Sequence, residues 1–178
     1  LWNKFDSVSI GASLDAEGPR AELMRKGTIW DDIVTNRKRM LEVCPQVDFY
    51  ISATVGLANS LHVVDFHKNW VEQGLIKPQD FNFNLLQYPT WQRMDLLPED
   101  YKAKVTEKYK EHIEWLKRQD HLTRASKGFE SALDWMNKKD MSRHMPMFID
   151  ETKKYDKIRN ETFTEVFPEW KELFNRYA

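Results

Sequence analysis

The chain has 178 residues, with 27 Lys and Arg against 28 Asp and Glu and a net charge of −1. That length suffices for one domain with a real core, and the balanced charge gives no electrostatic footprint for nucleic acid or an anionic membrane. No apolar run approaches the roughly 20 residues of a membrane span, the opening residues do not read as a signal peptide, and 7 Trp, 6 Tyr and 10 Phe favour a packed chain over disorder.

The opening "LWNKFDSVSI" has no initiator Met and reaches a strand within a few residues, which points to a fragment or processed chain whose missing part lies at the front. From Ser7 to Asp15, Val8, Ile10, Ala12 and Leu14 alternate with Ser9, Gly11 and Ser13, the period of a strand with one apolar face. A charged loop follows Gly18-Pro19. Thr28, three residues before Asp31, opens a helix in capping-box fashion, and Pro45 stops it after Val43. Cys44, the single cysteine, excludes an internal disulfide or a CxxC motif and fits a reducing, cytoplasmic setting. Its expected role is a small core residue at the helix end.

Val47 to Val55 reads as the second strand, broken by Gly56. A helix from Asn59 or Ser60 to Gln73 ends on Gly74, and Phe81 to Gln87 is the third strand. Helical crossovers make these strands parallel. The apolar face of each strand belongs under helices. The small, polar face belongs to a cavity, because a tightly filled barrel interior would favour bulky branched residues instead. The chain thus divides into a βαβαβ segment, 1–92, and a helical region, 93–178. In the latter, Tyr101, Val105, Tyr109, His112 and Leu116 form a stripe on a helix begun by Pro98. Further helices are expected at about 123–137, 145–158 and 162–176.

His62, His67, His112, His121 and His144 form no HExxH motif, and acid pairs such as Asp31-Asp32 sit at helix starts, where the helix dipole accounts for them. The chemistry is therefore sought at the C-terminal ends of the strands, where parallel α/β sheets bind ligands. Those ends offer Ser13 and Asp15, then Thr54 and Asn59, then Asn84 and Gln87. This hydrogen-bonding set with one carboxylate suits a ribose or other polyol. Arg25 and Lys26 are placed to meet a carboxylate or phosphate, Arg being the better bidentate partner. The bland alternative has Asp15 capping a turn and Arg25 solvated.

"SVSIGASLDAEGPRAELMRKGTIWDDIVTNRKRML" resembles the fourth strand, loop and helix of radical S-adenosylmethionine (SAM) enzymes, closest to the branch with a SPASM or twitch extension. The resemblance rests on Ser13-Leu14-Asp15-Ala16, then Glu22, Arg25 and Gly27, then Trp30, Ile33 and Asn36. "VDFYISATVGLANSLHVVDFHKNWVEQGLI", with Asn59, is similar to the next strand and helix, and "LLQYPTWQRMDLLPEDYK" and "KKYDKIRNETFTEVFPEW" to later twitch segments. The resemblance implies an α/β fold: the C-terminal half of a partial (β/α)6 barrel, three parallel strands followed by a helical region. By position it makes Ser13 a SAM ribose contact, Asp15 a ribose or strand-end partner, Arg25 a partner of the SAM carboxylate and Asn59 a nearby polar contact. Thr54 and Asn84 are further candidates.

The family's CxxxCxxC, which holds a [4Fe–4S] cluster and would lie before Leu1, is absent; the glycine-rich segment that follows the family's own second strand and the C-terminal cysteines of an auxiliary cluster are missing too. The chain alone is therefore expected to be inactive. The resemblance implies as partners a missing N-terminal half or a neighbouring chain, and a peptide or small-molecule substrate. An open strand edge and a bare polar face predict poor solubility or oligomerisation of the isolated chain. The alternatives are a non-catalytic α/β module binding a sugar or nucleotide, and an interaction domain.

Overall fold

The structure, a computed structural model, describes residues 2–119 and 124–177. Three strands, β1 (Ser9–Ala12), β2 (Asp48–Val55) and β3 (Phe81–Leu85), form one parallel sheet in the order β1-β2-β3. Helices α1 (Gly18–Met24) and α2 (Trp30–Val43) connect β1 to β2, and α3 (Val63–Glu72) connects β2 to β3. The chain continues as α4 (Glu99–Arg118), α5 (Arg124–Lys138), α6 (Met145–Arg159), α7 (Phe163–Val166) and α8 (Lys171–Arg176). Among the described residues, no helix is long and apolar enough to cross a membrane.

The strand register builds two unlike faces. Ile10 lies opposite Phe49, Ala12 opposite Ile51, Ile51 opposite Phe81, and Val55 opposite Leu85. The alternate residues pair Ser9 with Asp48, Gly11 with Tyr50, Ser52 with Asn82 and Thr54 with Asn84. Strands that advance in one direction through crossovers of one hand place their helices on one face. Accordingly Trp30 of α2 packs against Phe66 and Trp70 of α3, and Phe66 meets Phe81 edge-on. Arg37 lays its guanidinium 4.0 Å over the Phe49 ring and donates from Nε to the Leu75 carbonyl. On the other face Ser9, Gly11, Ser13 and Asn84 are exposed. Tyr50, Ser52, Thr54 and Asn82 are half-buried there, the Tyr50 ring lying across Gly11.

The helical region extends the covered face. The α4 stripe of Tyr101, Val105, Tyr109, His112 and Leu116 is buried, as its spacing predicts. Phe129 of α5 packs edge-on to Phe83 and Tyr109. A single buried apolar cluster runs from Leu14 to Phe174, through both 1–92 and 93–178. The closest approach is at Gly128 of α5, where a Cβ would stand 2.5 Å from the Cβ of Phe83. Because that atom is anchored to the β3 backbone, it has little room to yield. Gly128→Ala is therefore expected to lower stability by about 1–2 kcal/mol, overpacking outweighing the roughly 1 kcal/mol gain in helix propensity. A reduced urea midpoint at constant slope is the readout; an unchanged midpoint would refute this packing.

Several predicted boundaries shift, each for a local reason. β1 ends at Ala12 rather than Asp15, because the Leu14 N–H turns back onto the Ala12 carbonyl. The charged stretch after it holds the short helix α1, entered through Gly18 at φ +57 with Pro19 in its first turn. The Thr28–Asp31 capping box does not form: α2 begins at Trp30, whose N–H is taken by Glu22 Oε1 of α1 at 2.9 Å. Residues 57–62 are turns, so α3 begins at Val63. β3 ends at Leu85 rather than Gln87. The last predicted helix, 162–176, is split into α7 and α8 around Pro168, which cannot continue a helix through its missing N–H. Cys44 caps α2 and is half-buried. The start predicted for α5 at 123, and His121, lie outside the described residues.

Candidate functional site

At the C-terminal ends of the strands the chain leaves the sheet and side chains take over from the backbone ladder. Asp15, 7% exposed, turns its carboxylate toward β2, and Oδ1 accepts the Thr54 N–H at 2.7 Å. Arg25, which caps α1, clamps the same carboxylate from Nε to Oδ2 at 2.8 Å and from Nη2 to Oδ1 at 3.2 Å. Asn59 is fully buried behind this pair. Its Nδ2 donates to the Asp15 carbonyl at 2.7 Å and the Thr54 carbonyl at 3.0 Å, and its Oδ1 accepts the Gly56 N–H at 2.9 Å.

Four of the six predicted site residues, Asp15, Arg25, Thr54 and Asn59, therefore meet in one hydrogen-bonded group. Asp15 is neither a simple turn cap nor Arg25 merely solvated, since each is the other's bidentate partner. Ser13 stands apart, exposed on the polar face at the end of β1. Asn84 lies along that face, donating to Ser52 Oγ at 2.9 Å and more weakly to the Ala53 carbonyl. Lys26 meets a carboxylate as well, Glu161, at the entrance to α7. Both loop cations thus find anions within the chain.

The group borders a cavity of about 340 Å³, within the lower range of small-molecule sites. Asp15, Thr54, Leu23 and Met24 of α1, and Trp91 of the loop after β3 line it. Tyr155 and Asp156 of α6 face them. The Trp91 and Tyr155 rings stack at 6.0 Å, and the Arg159 guanidinium lies 4.9 Å from the Tyr155 centroid. Asp156 accepts the Phe163 N–H with both oxygens, at 3.1 and 3.0 Å. Burial raises its pKa, Glu161 adds to the rise, and the Phe163 N–H and Arg159 oppose it.

Distant segments hold this wall in place. Arg20 of α1 donates to the Val166 carbonyl at 3.1 Å, to His62 Nδ1 at 2.6 Å and to Glu169 at 2.9 Å, and lies over the Phe167 ring. Trp170 Nε1 donates to the Ala58 carbonyl at 2.8 Å. The loop after β3 is fixed by the Leu57 N–H to the Gln92 carbonyl, an approach that a Cβ on Gly56 would obstruct at 2.6 Å. Arg20, Trp91, Tyr155 and Asp156 are not among the sequence candidates; the partners of Arg20 and the Trp91–Tyr155 stack lie dozens of residues apart, whereas Asp156 meets Phe163 only seven residues on. The one local signal was the aromatic cluster of the C-terminal helices.

Among the described residues no group of three or more His, Cys, Asp or Glu is placed to hold a metal ion. With one cysteine in the whole chain, at the opposite end of the β2 crossover from the strand C-termini, the residues present do not fit a [4Fe–4S] cluster. Comparison with family models, with curated proteins and with solved structures finds no match for the chain.

Proposed function

We propose that the chain is the C-terminal part of a radical SAM enzyme, its sheet the second half of a partial (β/α)6 barrel. The observation that carries this reading is the singly wound parallel sheet, polar on the face away from its helices, whose strand ends gather Asp15, Arg25, Thr54 and Asn59 beside a cavity. A three-stranded sheet wound in one direction fits a sector of a barrel as it fits one half of a doubly wound fold, and its polar face supports the barrel. The Ser13-Leu14-Asp15 strand end and the Arg25-x-Gly27 loop add the family resemblance. The cluster belongs to a segment before Leu1 or to a neighbouring chain.

SAM would supply a 5′-deoxyadenosyl group for hydrogen abstraction from a peptide or small-molecule substrate. This chain's residues bind and orient. Ser13 and Thr54 offer hydroxyls to a ribose. Asp15 holds Arg25 in place, leaving Nη1 of the guanidinium for a carboxylate. Helix α6 lines the cavity with Phe148, Tyr155 and Asp156.

Joined to the upstream half, with the cluster reconstituted under reducing, anaerobic conditions, the protein is expected to release 5′-deoxyadenosine from SAM. Ser13→Ala and Arg25→Ala should weaken SAM binding about tenfold each, the order of one hydrogen bond, more if charged. No release from a cluster-loaded protein would overturn the enzymatic reading and leave a non-catalytic nucleotide- or sugar-binding module.

A further inference from the structure

Three carboxylates line the cavity, and they are not equally engaged. Asp15 has three donors, two from Arg25 and one from Thr54. Glu161 is paired with Lys26 at the rim. Asp156, half-buried, receives the Phe163 N–H alone among the described residues, shared between its two oxygens. A carboxylate has about four lone-pair sites, so Asp156 keeps acceptor capacity. Its surroundings are apolar and aromatic: Leu23, Trp91, Phe148, Tyr155 and Phe163. Such a wall favours a cation over water, and it holds one already, since Arg159 lies on the Tyr155 ring.

We infer that the cavity takes a cationic amine on an apolar or aromatic body, the ammonium seated on Asp156 and the body against Trp91 and Phe148. An ammonium there satisfies the open acceptor and relieves the repulsion between Asp156 and Glu161, which the Glu161 N–H bond to the Asp156 carbonyl holds close together. A carboxylate of the same shape meets Asp156 with like charge, while Lys26 is bound to Glu161 and Arg159, the cation of the lining, is held over the Tyr155 ring. The inference gives a substrate class to the site proposed above and rests on that reading, but amine binding requires neither SAM nor a cluster.

The test compares phenethylamine, 2-phenylethanol and phenylacetate, three ligands of one shape and different charge, titrated calorimetrically into the 178-residue chain. Phenethylamine is expected to bind saturably and at least tenfold more tightly than either analogue. Asp156→Asn retains an acceptor for the Phe163 N–H and should abolish the preference; Asp156→Glu should retain most of it. Independently of any variant, the Phe163 amide resonance should shift with phenethylamine and not with 2-phenylethanol. Equal binding of the three, tightest binding of phenylacetate, an unmoved Phe163 resonance or an amine preference surviving in folded Asp156→Asn would each overturn the inference. Amine binding without 5′-deoxyadenosine release in the full enzyme would retain the substrate class and remove the radical chemistry; release without amine selectivity would do the reverse.

Discussion

Asn59→Ala is expected to lower stability by about 3–4 kcal/mol, among the largest losses any single substitution in this chain produces. The side chain makes three hydrogen bonds, all to backbone, and all three partners sit at the junction of β1, β2 and the turn after β2. Each bond contributes about 1 kcal/mol net, and a buried group left unpaired costs about 1–3 kcal/mol. Alanine leaves the Gly56 N–H and two carbonyls with that cost and opens a small void in a fully buried position. Asn59→Asp should be at least as harmful at neutral pH, since it keeps the acceptor for Gly56 but turns a carboxylate toward two carbonyls. Because the Asp15 and Thr54 backbones flank the carboxylate that Arg25 clamps, both variants should also loosen the Arg25 pair. Chemical denaturation measures the first effect, and the Arg25 Nε resonance the second. A loss below 1 kcal/mol would show that Asn59 does not frame the site.

Asn59 also illustrates how far the sequence can be read. Its position after a strand marked it as part of the site, but only the structure shows that its whole hydrogen-bonding capacity goes into holding two strand ends together. Period-2 alternation made β1, β2 and β3 legible, and the 3.6-residue stripe from Tyr101 to Leu116 made α4 legible, because burial on one face writes itself into local spacing. Gly74, at φ +69 just past α3, was legible for the same local reason. What spacing does not carry is a partner far along the chain. Glu22 replacing Thr28 as the cap of α2 is such a case, and so is Arg20 reaching Val166 and Glu169. The Asp15–Arg25 clamp lay between these extremes. Both residues were evident as candidates, while their pairing with each other depended on α1, a helix hidden in a charged stretch.

Acidification should unfold the protein well before its carboxylates titrate. Three histidines are buried and held neutral. Burial, with Arg20 adding, pushes His62 down to about 4; burial pushes His67 down to about 3; and burial, followed by His67 and nearby lysines, pushes His112 down to about 2. Geometry explains why a proton is unwelcome at the last two. His67 Nε2 donates to the Pro78 carbonyl at 3.0 Å, which makes its Nδ1 the acceptor for His112 Nε2–H at 2.9 Å. His112 Nδ1 is then left as a buried lone pair with no acceptor among the described residues for an added proton, in a cage where Trp115 and Phe129 flank His112 and Phe81 stacks on His67. The unfolded chain binds protons at these residues from about pH 6.5 downward and the folded chain does not, so stability is complete above pH 6.5 and falls as pH drops toward the folded values. By pH 5 the loss is about 2 kcal/mol per histidine, roughly 6 kcal/mol for the three, comparable to the whole stability of a typical domain. Glu17, whose pKa burial raises, works in the opposite direction but only as it begins to take up protons at lower pH. The urea midpoint should therefore fall steeply between pH 7 and 5. The double variant His67→Phe with His112→Phe, which keeps the cage aromatic, should remove about two thirds of that slope by linkage. A midpoint independent of pH over this interval would mean that these histidines are not held neutral in the folded chain.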